Sequence, residues 1–193
     1  MKLITGLSNK NEFAKTFLID IDYTNKKALK KTINIDEKTL ILKEEFHITF
    51  LGSTLADELY KHLKNKKKQS QEQIEQSYLK IENKTKEMLK TAEISYGTSC
   101  INEVPKKSLI FDCKCFLLEK KYENQEIREA IIQIIKLNIY EEFFKFLEGA
   151  FGYYPKRGIP KCHITIYYKN KPIGLNTYKD FEKYKIKEVE LFN

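Results

Sequence analysis

Apolar positions along this chain switch repeatedly between a period of two and a period near 3.6. Lys15–Tyr23 and Glu45–Gly52 alternate or run apolar over strand length and predict two strands, the second ended by Gly52. Ser53 and Thr54 mark a helix start, where Thr54 and Asp57 form the weaker, aspartate version of a capping box. Leu55, Leu59 and Leu63 follow helical spacing from there. A brief break near Asn65–Ser70 separates this helix from a second, highly charged one in the helical composition of Gln69–Ala92. Strands return at Ala92–Thr98 and Leu109–Leu118. Asn124–Phe151 predicts the clearest helix, with Ile127, Ile131, Ile135, Ile139, Phe143, Phe146, Leu147 and Ala150 on one face and Gly149 or Gly152 closing it. Gly152–Pro160 reads as a loop, Cys162–Tyr168 as a strand and Val189–Phe192 as a last short strand. This order gives an α+β fold with two similar halves.

A chain of 193 residues buries one good core, or two small lobes around a cleft, but not two large domains. An apolar share of 41% against 32% charged excludes a disordered chain. No apolar run approaches the roughly 18 to 20 residues that span a bilayer, and Met1–Phe13 has no secretion-signal pattern. A cytoplasmic monomer with no membrane partner is expected. Cys100, Cys113, Cys115 and Cys162 match no zinc spacing and read as reduced, partly buried thiols, with Cys113 and Cys115 on one face of a strand.

The net charge of +8 favours a polyanionic partner, and its placement narrows that reading. Residues 61–90 hold nine lysines and four glutamates, and residues 152–171 hold Lys156, Arg157, Lys161, Lys169 and Lys171 with no acid. The first block reads either as a solvated pair of helices or as a basic flap over a cleft. In the flap, Lys66, Lys67 and Lys68 would lie at the turn between helices.

Two of the three histidines stand in the same local frame: Phe46-His47-Ile48-Thr49-Phe50 and Cys162-His163-Ile164-Thr165-Ile166. In a strand, residues i and i+2 share a face, so His47 and Thr49 point away from Phe46, Ile48 and Phe50. The same holds for His163 and Thr165. The apolar set marks the core, leaving each His/Thr pair to face solvent or a cleft. The third histidine, His62, is assigned to a helix surface.

On these residues the chain resembles the two-histidine (2H) phosphoesterase superfamily, which includes RNA 2′,3′-cyclic phosphodiesterases, also called 2′-5′ RNA ligase-like proteins. That family carries two His-hydrophobic-Ser/Thr-hydrophobic motifs, one per lobe. His47-Ile48-Thr49-Phe50, running on to Leu51-Gly52, and His163-Ile164-Thr165-Ile166 both fit, and Glu188–Phe192 looks like the family's last strand. The resemblance implies a bilobal fold over residues 1–193, with two small antiparallel sheets flanking a central cleft and helices outside. A charged helical insertion at about 61–92 departs from the family pattern. It implies an enzyme in which His47 and His163 are the acid and base, in an order the sequence leaves open, and Thr49 and Thr165 bind phosphate.

Hydrolysis of a cyclic phosphodiester needs a base for water, an acid for the leaving oxygen and donors for the phosphoryl oxygens. Histidine serves either proton role near neutral pH, and threonine hydroxyls donate. No metal or other cofactor is expected, because neither motif carries a further ligand on its cleft face. Arg157 and Lys161 precede the second motif and are candidates for substrate contact. Tyr167, at i+2 from Thr165, and Tyr154 are candidates for stacking on a base, as is Tyr153. The expected partner is RNA or a nucleotide. The rival readings are a phosphodiesterase of cyclic or 2′-5′-linked signalling nucleotides and an RNA-binding module with little catalysis.

Overall fold

The apolar runs around Lys15–Asp20 and His47–Leu51 lie on strands, as their period of two requires. The computed structural model describes residues 1–21, 29–96, 115–122, 124–171, 173, 175, 184–189 and 191. In chain order these form β1 (Lys2–Ser8), β2 (Asn11–Asp20), β3 (Thr32–Ile35), β4 (Lys38–Leu42) and β5 (His47–Leu51). Next come α1 (Ser53–Lys61), a π-helical turn (His62–Lys66) and α2 (Gln71–Leu89). The remainder comprises β6 (Ile94–Tyr96), β7 (Cys115–Lys121), β8 (Ile127–Leu137), α3 (Asn138–Phe151), β9 (His163–Lys169) and β10 (Lys185–Val189). The fold is α+β with two antiparallel sheets. One has the order β1-β2-β5; the other runs β10-β7-β8-β9-β4-β3, with β6 paired to β8. Among the described residues, no helix is long and apolar enough to cross a membrane.

The helices cover one face of both sheets. Phe17 and Ile19 of β2, Ile48 and Phe50 of β5, and Ile131, Ile135, Ile164 and Ile166 of the larger sheet are buried in one core. Ile74, Tyr78 and Ile81 of α2 and Phe143, Phe144 and Leu147 of α3 complete it. On its other face the larger sheet carries a small second cluster of Leu118, Ile132 and Leu175.

The expected helix over Asn124–Phe151 is the largest correction. Ile127–Leu137 is a strand, and the helix begins only at Asn138. A spacing of four is close to one helical turn, but it is also twice the strand period. Ile127, Ile131 and Ile135 therefore fit either element. Isoleucine at 127, 131, 132, 134 and 135 tips the choice, because β-branched side chains favour a pleated surface. Gly152 closes α3 as expected, in the left-handed region at φ 65°.

The Thr54–Asp57 capping box is absent. Gly52 is the N-cap of α1, Thr54 accepts from Lys10 Nζ at 3.0 Å, and Asp57 pairs with Lys61 at 2.8 Å. The box instead opens α2: Ser70 Oγ accepts from Gln73 N–H at 3.3 Å, and Gln73 Oε1 from Ser70 N–H at 2.9 Å. With Ile74, Tyr78 and Ile81 buried in the core, α2 lies behind the sheets as a solvated, charged helix rather than a flap.

Strands β1, β3 and β4 were not expected. β1 is an edge strand exposed along most of its length, so it carries little alternation. The β3–β4 hairpin turns at Asp36 and Glu37, both left-handed at φ 48° and 62°. Its usual Asn-Gly or Asp-Gly signature is missing. Glycine at position 37 should relieve a strained backbone, so Glu37→Gly is expected to raise unfolding stability by about 1 kcal/mol in urea melts. The Cys100 and Cys113 readings, and the ends of the strands expected at Lys15–Tyr23, Ala92–Thr98, Leu109–Leu118 and Val189–Phe192, lie outside the described residues. Cys115 and Cys162 are buried thiols.

Candidate active site around two histidine strands

Each histidine motif lies on a strand with a β-bulge at the same place. Between β2 and β5, Leu18 pairs with Thr49 but Phe17 pairs with Leu51, so Phe50 is the extra residue. Between β8 and β9, Ile132 pairs with Thr165 but Ile131 pairs with Tyr167, so Ile166 is the extra residue. Both bulges thus follow the motif threonine directly. A bulge breaks strict alternation, and in both strands it turns the next residue, Leu51 or Tyr167, into the core.

That bulge corrects one expectation. Tyr167 does not share the face of Thr165; it is 1% exposed, and its hydroxyl donates to Lys30 O at 3.0 Å. Its ring has no free face for a base. Tyr153 is likewise structural: it is buried and donates to Leu55 O at 3.3 Å. His62 is more than a surface residue, since Nε2 lies 3.0 Å from Phe151 O and its ring meets that of Tyr153 edge-on. It ties the π-helical turn to the end of α3.

His163 and Thr165 pair across the sheet with Ile134 and Ile132, which places them on the face opposite the helices. His163 Nδ1–H donates to Lys161 O at 2.8 Å, which leaves the lone pair on Nε2. Leu175 N–H approaches that nitrogen at 3.4 Å, and Thr165 Oγ1 donates to Ile173 O at 3.4 Å. Both distances are at the long end for hydrogen bonds. His163 is 7% exposed. Burial pushes its pKa below the usual imidazole value, aided by the positive charge of Lys43 and opposed by the bond to Lys161 O.

His47 opens β5 opposite Asp20. Thr49 follows on the same half-buried face, and Tyr140 holds its backbone with a 3.3 Å bond to Thr49 O. A Cβ on Gly52 would come within 3.2 Å of Thr49 Cγ2, so glycine there leaves the threonine room. His47 and His163 lie within electrostatic reach of each other, and Lys43 lies within reach of both.

Lys43 is the residue that sequence reasoning missed. It sits where the chain leaves β4 for β5. The pairing of β4 with β9 pins it, Lys43 N–H donating to Ile166 O at 2.9 Å. Its ammonium lies 3.1 Å from Nδ1 and 3.2 Å from Nε2 of His47. Burial lowers the His47 pKa to about 4, with smaller contributions from Lys43 and His163 and opposition from Asp20. Burial also lowers Lys43 to about 8, against Glu45. At neutral pH the site therefore holds two neutral imidazoles and one ammonium.

These shifts have a consequence for stability. Between pH 6.5 and 4 the unfolded chain protonates position 47 and the native protein does not, so stability falls as pH drops through that window. The loss is on the order of 2 to 3 kcal/mol for this group, and His163 adds in the same direction. Urea midpoints measured across the window should fall, and His47→Gln should flatten the slope. An unchanged slope in the variant would contradict the assignment.

Arg157, Lys161 and Tyr154 come together elsewhere. They line a cavity of about 1020 Å³ between the end of β8, the start of α3 and the loop before β9. Tyr154 is 50% exposed, so a ring face is open. The cavity also takes in Cys162, immediately before His163, but neither catalytic candidate lines it. It borders the second motif rather than lying between the two histidines. Among the described residues, no cluster of three or more His, Cys, Asp or Glu side chains could hold a metal ion. The chain matches no family model, no curated protein and no solved structure.

Proposed function

We propose that this chain is a two-histidine phosphodiesterase of the 2H type, which opens a 2′,3′-cyclic phosphate or cleaves a 2′-5′ linkage on RNA or a nucleotide. The observation that carries this reading is the matched pair of strands. Each presents histidine and threonine on the face away from the helices and bulges at the residue after the threonine. Their imidazoles lie within electrostatic reach of each other. In this reading the two strands are the facing walls of a bilobal cleft.

His163 is suited to the base role. Its Nδ1–H bond to Lys161 O fixes the tautomer, and Nε2 can take a proton from water. His47 then takes the acid role opposite that base, and the Lys43 ammonium beside it offers positive charge to the phosphoryl oxygens. Thr49 and Thr165 hydroxyls donate to the non-bridging oxygens as charge builds. Arg157, Lys161 and Tyr154 offer cationic and stacking contacts to the nucleotide beyond the reacting phosphate.

One observation favours a binding-only alternative. His163 is nearly enclosed, with its Nε2 facing Leu175 N–H. An RNA-binding module would bind RNA in a salt-dependent way that survives loss of either histidine.

The test is phosphorus NMR of 2′,3′-cyclic AMP, an RNA oligomer ending in a 2′,3′-cyclic phosphate and a 2′-5′-linked dinucleotide, with EDTA present. Turnover is expected, and the phosphate position in the product identifies the bond that breaks. Folded protein that turns over none of the three would refute the reading.

A further inference from the structure

We propose that the cavity beside the second histidine strand is a subsite for the nucleotide on the 5′ side of the reacting one, so that the substrate is the 3′ end of an RNA strand rather than a free cyclic mononucleotide. This assignment rests on the two-histidine reading and narrows its substrate class.

The cavity is placed to extend the site. Ile134 lies directly opposite His163 in the β8–β9 ladder, and residues opposite each other share a face. Ile134 lines the cavity. So does Lys161, whose carbonyl accepts the 2.8 Å bond from His163 Nδ1–H. The cavity therefore begins one cross-strand pair away from the base, on the approach to β9. At about 1020 Å³ it lies at the upper end of the range for small-molecule sites, well beyond what a single phosphate fills.

Its lining supplies both kinds of contact that a nucleotide requires. Tyr154 is 50% exposed, and a ring with an open face stacks on any base. Next to it the chain makes a tight turn, closed by the 3.0 Å bond from Gly158 N–H to Pro155 O. Gly158 leaves that turn at φ 79°, in the left-handed region that glycine adopts without strain. Lys156 and Arg157 occupy the two central positions and are exposed, while Pro155 beneath them is buried. An anchored backbone thus carries two adjacent cations at the cavity wall. Among the described residues neither has an ion-pair partner, so their charge is open to a phosphate. Lys136 and Lys161 add to it. Glu93 and Glu141, beside the start of α3, oppose it, which leaves four cations against two carboxylates.

The chemistry of the strand end sets the direction. A 2′,3′-cyclic phosphate closes the last ribose of a strand, so the rest of the strand leaves through the 5′ oxygen of that ribose. With the cyclic phosphate at His163 and Thr165, the next phosphate falls to the Lys156–Arg157 turn. The base beyond that phosphate stacks on Tyr154. A cyclic mononucleotide offers neither group and leaves the cavity empty.

The experiment compares kcat/KM for 2′,3′-cyclic AMP with that for an adenylate dinucleotide and an adenylate hexamer ending in the same cyclic phosphate, in wild type, Tyr154→Ala and Arg157→Gln. In parallel, fluorescence anisotropy across a salt series measures binding of a 5′-labelled hexamer ending in a 3′-phosphate, which cannot turn over. Wild type should prefer the dinucleotide to cyclic AMP by about 10-fold or more, with most of the gain already present at two nucleotides. Tyr154→Ala should cut that ratio by about 10-fold, chiefly through KM. Arg157→Gln should weaken hexamer binding and reduce the slope of log K against log salt by about 0.7, the share of one phosphate contact on a single strand. Loss of a merely structural side chain would not move that slope.

A wild type that turns over cyclic AMP and the dinucleotide equally well would overturn the subsite, and so would variants that keep the wild-type ratio and salt slope. The two-histidine reading would survive both results. A wild type inert on all three substrates would instead overturn the two-histidine reading, and with it the assignment of this cavity to a substrate.

Discussion

Alanine at His163 is expected to lower kcat for opening a cyclic phosphate by about 10² to 10⁴. The position removes the one imidazole whose tautomer is fixed by the backbone, through the 2.8 Å bond from Nδ1–H to Lys161 O. The remaining lone pair on Nε2 faces the side of the sheet that carries Thr165. Nothing else on that strand can replace the base, since Thr165 offers only a hydroxyl. The fold should tolerate the change. The lost ring is held neutral by burial, so its removal leaves no uncompensated charge. Single-turnover rates separate this loss from any change in substrate binding. KM should move far less than kcat, and a variant with an unaltered single-turnover rate would remove His163 from the mechanism.

Phe143→Ala is expected to cost about 3 to 5 kcal/mol of unfolding free energy. Phe143 is 0% exposed and packs α3 against the smaller sheet. Its ring lies 6.4 Å from Phe17 on β2, 4.7 Å from Phe50 on β5 and 5.4 Å from Phe144 on its own helix. Phe50 is the bulged residue beside Thr49, so this packing also holds the first motif strand in shape. Truncation leaves a cavity among aromatic rings that cannot all collapse into it. Urea denaturation measures the loss, and a cost below about 1 kcal/mol would show that Phe143 does not brace the smaller sheet as described.

The sequence made the site's frame readable and hid its fine structure. His47, Thr49, His163 and Thr165 could be placed because a strand puts i and i+2 on one face, and both motifs obey that rule up to the threonine. The bulges fall one residue later, where no residue type announces them. The apolar Leu51, at a position that alternation would expose, was the available hint. Tyr167 was misassigned for that reason. The Ile127–Leu137 strand was read as helix because a spacing of four fits both periods; the density of isoleucine was the discriminating feature. Lys43 was not legible. Its place beside His47 depends on β4 pairing with β9, a contact between residues more than a hundred apart that local pattern does not encode. The β3–β4 hairpin that delivers it turns at Asp36-Glu37, without the glycine that marks such turns.

The most direct test of the central claim is kcat/KM for an RNA oligomer ending in a 2′,3′-cyclic phosphate, with EDTA present, in wild type, His47→Ala, His163→Ala and the double variant. Two residues that act as one unit lose most of their effect with the first substitution. Each single variant should therefore fall by about 10² or more, and the double variant should be little slower than the slower single one. Wild-type rates in both single variants would contradict the two-histidine mechanism.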